Sequence, residues 1–117
     1  PNTREGKEKY VRHKTRERNP EIVKQKKQQF QEKYGKLFCE VCNFDFNEIY
    51  GAHGDGFIEC HHNIPLHETK DERTTKLSDL SLLCSNCHRM VHRKKEWLTV
   101  RELEAIYNKL NRNTVID

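Results

Sequence analysis

Four histidines have spacings that could hold a metal ion beside a reacting group. His88 and His92 are four residues apart, so both imidazoles project from one face of a helix and can bind one ion. His61 and His62 are adjacent at the predicted end of a short strand, where a break lets one imidazole bind metal and the other reach a nearby water. Three imidazoles from two elements leave coordination positions open, which is typical of a catalytic metal site.

Four of the five cysteines form two C-x-x-C pairs, Cys39 with Cys42 and Cys84 with Cys87. Such pairs are typical of zinc sites in reducing compartments, whereas disulfide frameworks usually have an even number of cysteines at wider spacings. We therefore predict that the four thiolates bind one structural Zn²⁺ and that the protein is cytoplasmic. The alternative is two redox-active or buried thiol pairs.

The fifth cysteine, Cys60, is predicted to be buried rather than metal-bound. On a strand it points away from Glu59 and His61, toward the core, where a thiol behaves as a small apolar group. A different partition of the ligands places both cysteines and both histidines of segment 84–92 on one zinc ion. That partition leaves the first C-x-x-C pair without a partner, and an adjacent cysteine and histidine fit one tetrahedron poorly.

Local signals predict the elements that position these residues. The segment Phe57–Cys60 is predicted as a strand, and a second strand or loop around 64–66 completes a small hairpin. Ser85 is predicted to cap a helix that carries His88 and His92.

A last helix is predicted over residues 99–111. Thr99 and Glu102 form a capping box at its start. Its apolar residues recur at helical spacing and are predicted to pack in the core, against Trp97. They are Leu103, Ile106, Tyr107 and Leu110.

The positive charge is concentrated in the first third of the chain. Residues 1–38 carry 12 basic and 5 acidic side chains, a net charge of +7, whereas residues 39–117 have a net charge of −3. Asn19 and Pro20 predict the start of a surface helix that ends at Gly35. We interpret 1–38 as a basic helical arm for a polyanionic partner and 39–117 as the folded domain. The alternative is a solvated, charge-rich helix.

The composition predicts a small core. Of the 117 residues, 33% are hydrophobic and 34% charged, and the mean hydropathy is −1.06. A domain of this size and composition needs a further stabilising element, and bound zinc would supply it. No apolar run is long enough to span a membrane. The chain begins at Pro1, which is compatible with a fragment of a longer protein.

Two segments together resemble the motif of the HNH endonuclease family, in its zinc-stabilised, restriction-endonuclease-like subgroup. They are Glu-Cys-His-His-Asn-Ile-Pro-Leu at 59–66 and Asp-Leu-Ser-Leu-Leu-Cys-Ser-Asn-Cys-His-Arg-Met-Val-His at 79–92. The segment 39–56 is also similar to that subgroup, so the resemblance covers residues 39–93. It implies an α+β fold with a ββα-metal (His-Me finger) core. The predicted N-terminal basic helices and C-terminal helix flank this core and lie outside the resemblance. The resemblance also implies hydrolysis of DNA phosphodiesters.

The resemblance assigns roles by position. His62 would be the general base that takes a proton from the attacking water. One divalent ion (Mg²⁺, Mn²⁺, Ni²⁺ or Zn²⁺) would be held by His61, His88 and His92. Glu59 would orient an arginine or a ligand, and Arg93 would contact phosphate. Further contacts to the DNA backbone are expected from Arg89, Arg12, Arg16 and Arg18.

One position departs from the family pattern. The family's middle Asn corresponds to Asp79, which accepts the same backbone hydrogen bonds but cannot donate unless it is protonated. Related members carry Asp there, and we expect activity to be retained.

We therefore expect a small metal-dependent HNH endonuclease with little sequence specificity. The alternatives are a zinc-stabilised DNA-binding module, in which the histidines form a second structural site, and a degenerate nuclease silenced by Asp79. A bacteriocin-type toxin nuclease shares the chemistry, but the C-x-x-C pairs argue against export through an oxidising compartment.

Overall fold

The computed structural model describes residues 20–64 and 75–111. Four α-helices and two β-strands are formed, with short 3₁₀ turns at Gly51–Gly54 and Leu77–Asp79. The elements are α1 (Pro20–Tyr34), α2 (Phe46–Tyr50), β1 (Glu59–His62), β2 (Leu80–Leu83), α3 (Ser85–Val91) and α4 (Val100–Asn111). The predicted α+β class with a ββα core is confirmed, with β1, β2 and α3 as its three elements. Arg12, Arg16, Arg18, Asn19, Pro65 and Leu66 lie outside the described residues.

The two strands form an antiparallel pair in which His61 lies opposite Ser81 and Cys60 lies opposite Leu82. Because strand side chains alternate between faces, Glu59 and His61 share the face toward α3. Cys60 packs on the other side, against the cluster of Leu82. The predicted direction of Cys60 is therefore correct.

The prediction that residues 64–66 pair with β1 is wrong. Ile64 lies in a bend, and the strand that pairs with β1 is Leu80–Leu83, on the far side of segment 65–74. All four residues of β2 are buried, so their sequence lacks the alternation that marks a half-exposed strand. The first strand also begins two residues later than predicted, at Glu59.

The free edge of β2 is paired by Glu40. Its backbone N–H donates to the Leu82 carbonyl (2.9 Å), and its carboxylate accepts from the Leu82 N–H (2.7 Å). Burial raises the pKa of the Glu40 carboxyl. This pairing fixes the first C-x-x-C turn against the sheet.

Helix α1 has the predicted bounds. It begins at Pro20 and ends at Tyr34, followed by Gly35 at a positive φ of 82°, a conformation that favours glycine. Only Phe30 of this helix is buried, in a cluster with Ile58 and Leu82. The helix therefore lies on the surface of the body, where Phe30 packs into that cluster and the Lys27 ammonium donates to the Gly56 carbonyl at 3.0 Å.

Helix α3 is capped by a cysteine. The expected cap, Ser85, is its first residue, and the N-cap is Cys84, whose sulfur accepts from the Cys87 N–H at 3.4 Å. A sulfur that accepts at this position combines capping with the geometry of a C-x-x-C metal turn. Ser85 was predicted as the cap because serine is a much commoner N-cap residue than cysteine. That prediction is wrong by one residue.

Helix α4 has the predicted capping box. The Thr99 N–H donates to the Glu102 carboxylate (2.8 Å), and the Glu102 N–H donates to the Thr99 hydroxyl (3.0 Å). The expectation that its whole apolar stripe is core is wrong. Leu103 is buried and Tyr107 packs against the same core, but Ile106 is 46% and Leu110 71% exposed.

The core consists of two small clusters. One surrounds three of the paired cysteines and includes Val41, Leu83, Val91 and Leu103; the other contains Phe30, Ile58 and Leu82. Few apolar side chains thus hold the elements together, in agreement with the composition. None of the helices among the described residues has the length and apolar character to cross a membrane.

Candidate metal centres

The two C-x-x-C pairs meet in one place. The four sulfurs of Cys39, Cys42, Cys84 and Cys87 lie within 4.8 Å of one another. The first pair sits in a tight turn closed by the Asn43 N–H to the Cys39 carbonyl (2.8 Å), with Asn43 at a positive φ of 68°. The second pair sits at the start of α3. Two chain segments are therefore joined through a four-sulfur cluster.

The surroundings of these thiols favour a bound cation. A hydrogen bond from the Cys87 thiol, together with backbone N–H groups, lowers the pKa of Cys39 to about 5 in spite of its burial. The same hydrogen bond to Cys39 raises the pKa of Cys87, and burial raises that of Cys42 to about 11. The thiols cannot all ionise side by side unless a positive charge lies between them. Four sulfurs in this arrangement fit a structural Zn²⁺.

Three histidines form a second cluster. His61 on β1 is only 2% exposed, His88 lies on α3, and His92 caps the end of that helix. Their ligand nitrogens lie within 4.8 Å of one another, and the ring centroids are 5.0 to 5.3 Å apart. The spacing of four residues on a helix and the end of the strand thus bring the predicted ligands together.

The donor nitrogens of this cluster suit a metal ion. His61 Nδ1 is buried and has no hydrogen-bond partner among the described residues. Burial, with smaller contributions from His88, His92 and His62, lowers the pKa of His61 to about 3. Burial and then His88 also lower the pKa of His92. Both rings are neutral at neutral pH, so their lone pairs are available, and a metal ion would satisfy the orphaned nitrogen.

Glu59 and Ser85 hold the third imidazole. The Glu59 carboxylate is 2.8 Å from His88 Nδ1 through one oxygen and accepts from the Ser85 hydroxyl, also at 2.8 Å, through the other. Because Nδ1 is engaged, Nε2 is the His88 nitrogen that remains for a metal ion. Sequence reasoning identified Glu59 but not Ser85 in this arrangement.

His62 lies beside the histidine cluster and is not one of its members. It is the last residue of β1, half-buried and paired with Leu80, and its charge is among the causes that lower the pKa of His61. The three-histidine cluster therefore does not include His62.

Asp79 ties the two ends of the loop that separates the strands. Its carboxylate accepts from the Lys76 N–H, and its backbone carbonyl accepts from the N–H of Asn63, both at 2.9 Å. The Asn63 side chain in turn accepts from the Ser81 hydroxyl at 3.1 Å. The Asp79 side chain thus acts as an acceptor, while its backbone N–H donates to the Lys76 carbonyl at 2.8 Å. Asn63, which follows His62, is held to the start of β2.

The two predicted DNA-contacting arginines that the structure describes, Arg89 and Arg93, lie on the surface. Arg89 is on the exposed side of α3, and Arg93 follows His92, also exposed.

Trp97 was not predicted near the site, yet its ring centroid is 4.0 Å from that of His92 and 5.5 Å from that of His61. No periodicity or spacing in the sequence identifies this contact, because it depends on the turn after α3.

A search of curated proteins finds no match for this chain. A scan against protein-family models matches residues 39–94 to the model described as HNH endonuclease. The matched segment contains both ligand clusters, the two strands and α3. The HNH endonuclease motif of this chain therefore lies in residues 39–94, which match that family's model.

Proposed function

We propose that this protein is a metal-dependent endonuclease that hydrolyses DNA phosphodiester bonds with little sequence specificity. The observation that carries the proposal is the histidine cluster in the HNH-matched segment, with His62 next to it and outside it. A three-nitrogen site with open positions suits catalysis better than structure, because structural sites are normally closed by four ligands. The four-cysteine cluster supplies the closed, structural site.

Three imidazoles would hold the catalytic ion: His61, His88 and His92. A divalent ion bound there, such as Mg²⁺, Mn²⁺, Ni²⁺ or Zn²⁺, supplies positive charge that stabilises the phosphate and the leaving oxygen in the transition state. Glu59 keeps the His88 ring in the orientation that points Nε2 toward the site.

His62 is the proposed general base. An imidazole has a reference pKa of about 6.5, so at neutral pH it can accept a proton from water. Its place at the end of β1, beside the metal ligands, lets it take that proton from a water that attacks the phosphorus. Asp79 contributes by fixing Asn63, and therefore the chain that carries His62.

Positive side chains would hold the DNA backbone. Arg89 and Arg93 are exposed on and just after the helix that carries two metal ligands. The basic segment 1–38 adds a net charge of +7, with Arg12, Arg16 and Arg18 as proposed phosphate contacts. Contacts of this kind position the duplex without reading its sequence.

A plasmid assay tests the proposal. Supercoiled plasmid is incubated with the protein in Mg²⁺, Mn²⁺ or Ni²⁺, and in parallel with EDTA. We expect nicked or linear product in at least one metal and none in EDTA. Retained DNA binding without cleavage in any metal would instead support a zinc-stabilised DNA-binding module or a degenerate nuclease.

A further inference from the structure

Trp97 forms one wall of the histidine cluster. Its ring lies 4.0 Å, centroid to centroid, from His92 at an interplanar angle of 80°, and 5.5 Å from His61 at 50°. His61 and His92 are themselves 5.0 Å apart. One indole therefore touches two of the three imidazoles that converge.

The fold brings Trp97 back to the end of α3. After His92 the chain runs through exposed residues 93–96 and returns, because the Leu98 N–H donates to the Val91 carbonyl at 3.2 Å. Thr99 then caps α4 directly afterwards. The indole is held between the ends of two helices, and it is half-buried against the core that surrounds the cysteines.

The three imidazoles are supported in different ways. His88 is oriented by its hydrogen bond to Glu59. The described contacts of the His92 ring are with other rings, of which Trp97 is the nearest. A ring that is not fixed by a hydrogen bond can still be restricted in its side-chain rotation by close packing.

Metal binding also makes the contact more favourable. An imidazole that donates its lone pair to a cation becomes electron-poor, and aromatic faces attract positive charge. The Trp97 and His92 rings meet nearly at right angles, and an electron-poor imidazole that meets an aromatic face in this way is attracted to it. Packing and electrostatics act in the same direction.

We propose that Trp97 is a positioning residue of the metal site, fixing the His92 and His61 rings for binding of the divalent ion. The inference rests on one part of the proposed function, metal binding by the histidine cluster, and does not depend on DNA cleavage. Trp97 is the single tryptophan of the chain, so its fluorescence should change when that site, rather than the cysteine site, is filled.

The test compares cobalt binding by variants of the zinc-loaded protein. Co²⁺ is titrated into wild type, Trp97→Leu, Trp97→Phe and Leu98→Ala, and its visible absorption is followed. Thiolate-bound cobalt has sulfur-to-metal charge-transfer bands that histidine-bound cobalt lacks, so exchange into the cysteine site would be visible. Leu98 is the matched control, because it packs on the same core one residue away.

We expect Trp97→Leu to weaken cobalt binding by about 10- to 100-fold, the range found for residues that orient metal ligands. Trp97→Phe should restore most of the affinity, because it keeps an aromatic face. Leu98→Ala should lower the melting temperature but leave the affinity unchanged. Wild-type fluorescence should saturate with the cobalt absorption.

Three outcomes would overturn the inference: equal affinity in wild type and Trp97→Leu, an equal loss in Leu98→Ala, or no cobalt at the histidines of wild type. The last would also remove the metal site from the proposed function. Weakened cobalt binding in a protein that does not cut plasmid would leave the inference standing while the nuclease proposal fails. If Trp97→Leu does not fold, the wild-type fluorescence decides, because an indole signal that stays constant while cobalt fills the histidine site would overturn the inference.

Discussion

Each of the three metal-site histidines has a different environment. His61 is buried on a strand with an orphaned nitrogen, His88 is oriented by Glu59, and His92 packs against Trp97. A site assembled in this way depends on several kinds of interaction, so its residues can be tested one at a time.

The first residue-scale prediction concerns the general base. We expect His62→Ala to abolish plasmid cleavage. The three imidazoles of the cluster would bind the metal ion, so none of them could replace His62 as the proton acceptor. Zinc content, cobalt affinity and DNA binding should be unchanged. His53→Ala removes an exposed histidine from the turn after α2 and is the control, with cleavage like wild type. Undiminished cutting by a nuclease-free preparation of His62→Ala would exclude the assigned base.

The second residue-scale prediction concerns the Glu59 carboxylate, which is hydrogen-bonded to His88. Glu59→Ala removes the partner of Nδ1 and leaves the ring free to rotate. We expect the metal concentration for half-maximal cleavage to rise about 10- to 100-fold, with most of the rate recovered at high metal. Glu48→Ala, an exposed acid on α2, is the matched control and should behave like wild type. An unchanged metal dependence in Glu59→Ala would show that His88 is held by other contacts.

The sequence predicts the metal ligands of the site better than the residues that support them. The two C-x-x-C pairs and the pair His88 and His92 have local spacings that indicate metal ligands. The choice of His61 over His62 as the third ligand rested on the resemblance to the HNH motif. Ser85 and Trp97 could not be identified from the sequence, because their contacts arise from the packing of α3 against β1 and from the turn that follows α3. Contacts between distant segments carry no local periodicity.

At the scale of elements, helix ends were easier to predict than strand pairing. Pro20, Gly35 and the Thr99 capping box each carry a local signal, and each lies at the predicted place. β2 carries no such signal, because a strand buried on both faces shows no alternation, and residues 63–79 separate it from its partner in the sequence.

The capping box gives a prediction for α4. Thr99→Ala removes the acceptor of the Glu102 N–H and should reduce the free energy of unfolding by about 1 kcal/mol. Urea denaturation of the zinc-loaded protein measures it, with Ser78→Ala at an exposed position as the control. Because Trp97 and Leu98 directly precede the cap, its loss should also increase the mobility of the indole, seen as lower fluorescence anisotropy. A stability equal to wild type would mean that α4 is held by Leu103 alone.

For the whole molecule, the ligand clusters identify the site better than the cavities do. An apolar cavity of about 980 Å³ lies beside α4, and its lining includes Phe44, Met90 and Tyr107 but none of the metal-site histidines. The lining also includes Cys42, Cys84 and Cys87, so this cavity borders the cysteine cluster and not the histidines. The histidine cluster results from the convergence of the ββα elements, which brings three imidazoles together with few apolar residues around them.

The small core gives the last prediction, on zinc and folding. The cluster around the four cysteines connects the first C-x-x-C turn, β2, α3 and α4, so its loss should affect the entire domain. We expect Cys39→Ser to bind no zinc at this site and to melt at a much lower temperature or without a cooperative transition, because structural zinc contributes directly to folding. Cys60→Ser is the matched control: Cys60 lies outside the four-sulfur cluster, so one zinc ion should remain and the melting temperature should change little. Zinc content by metal analysis and thermal unfolding by circular dichroism measure both variants. A normal melting profile for zinc-free Cys39→Ser would show that the two apolar clusters are sufficient to hold the fold.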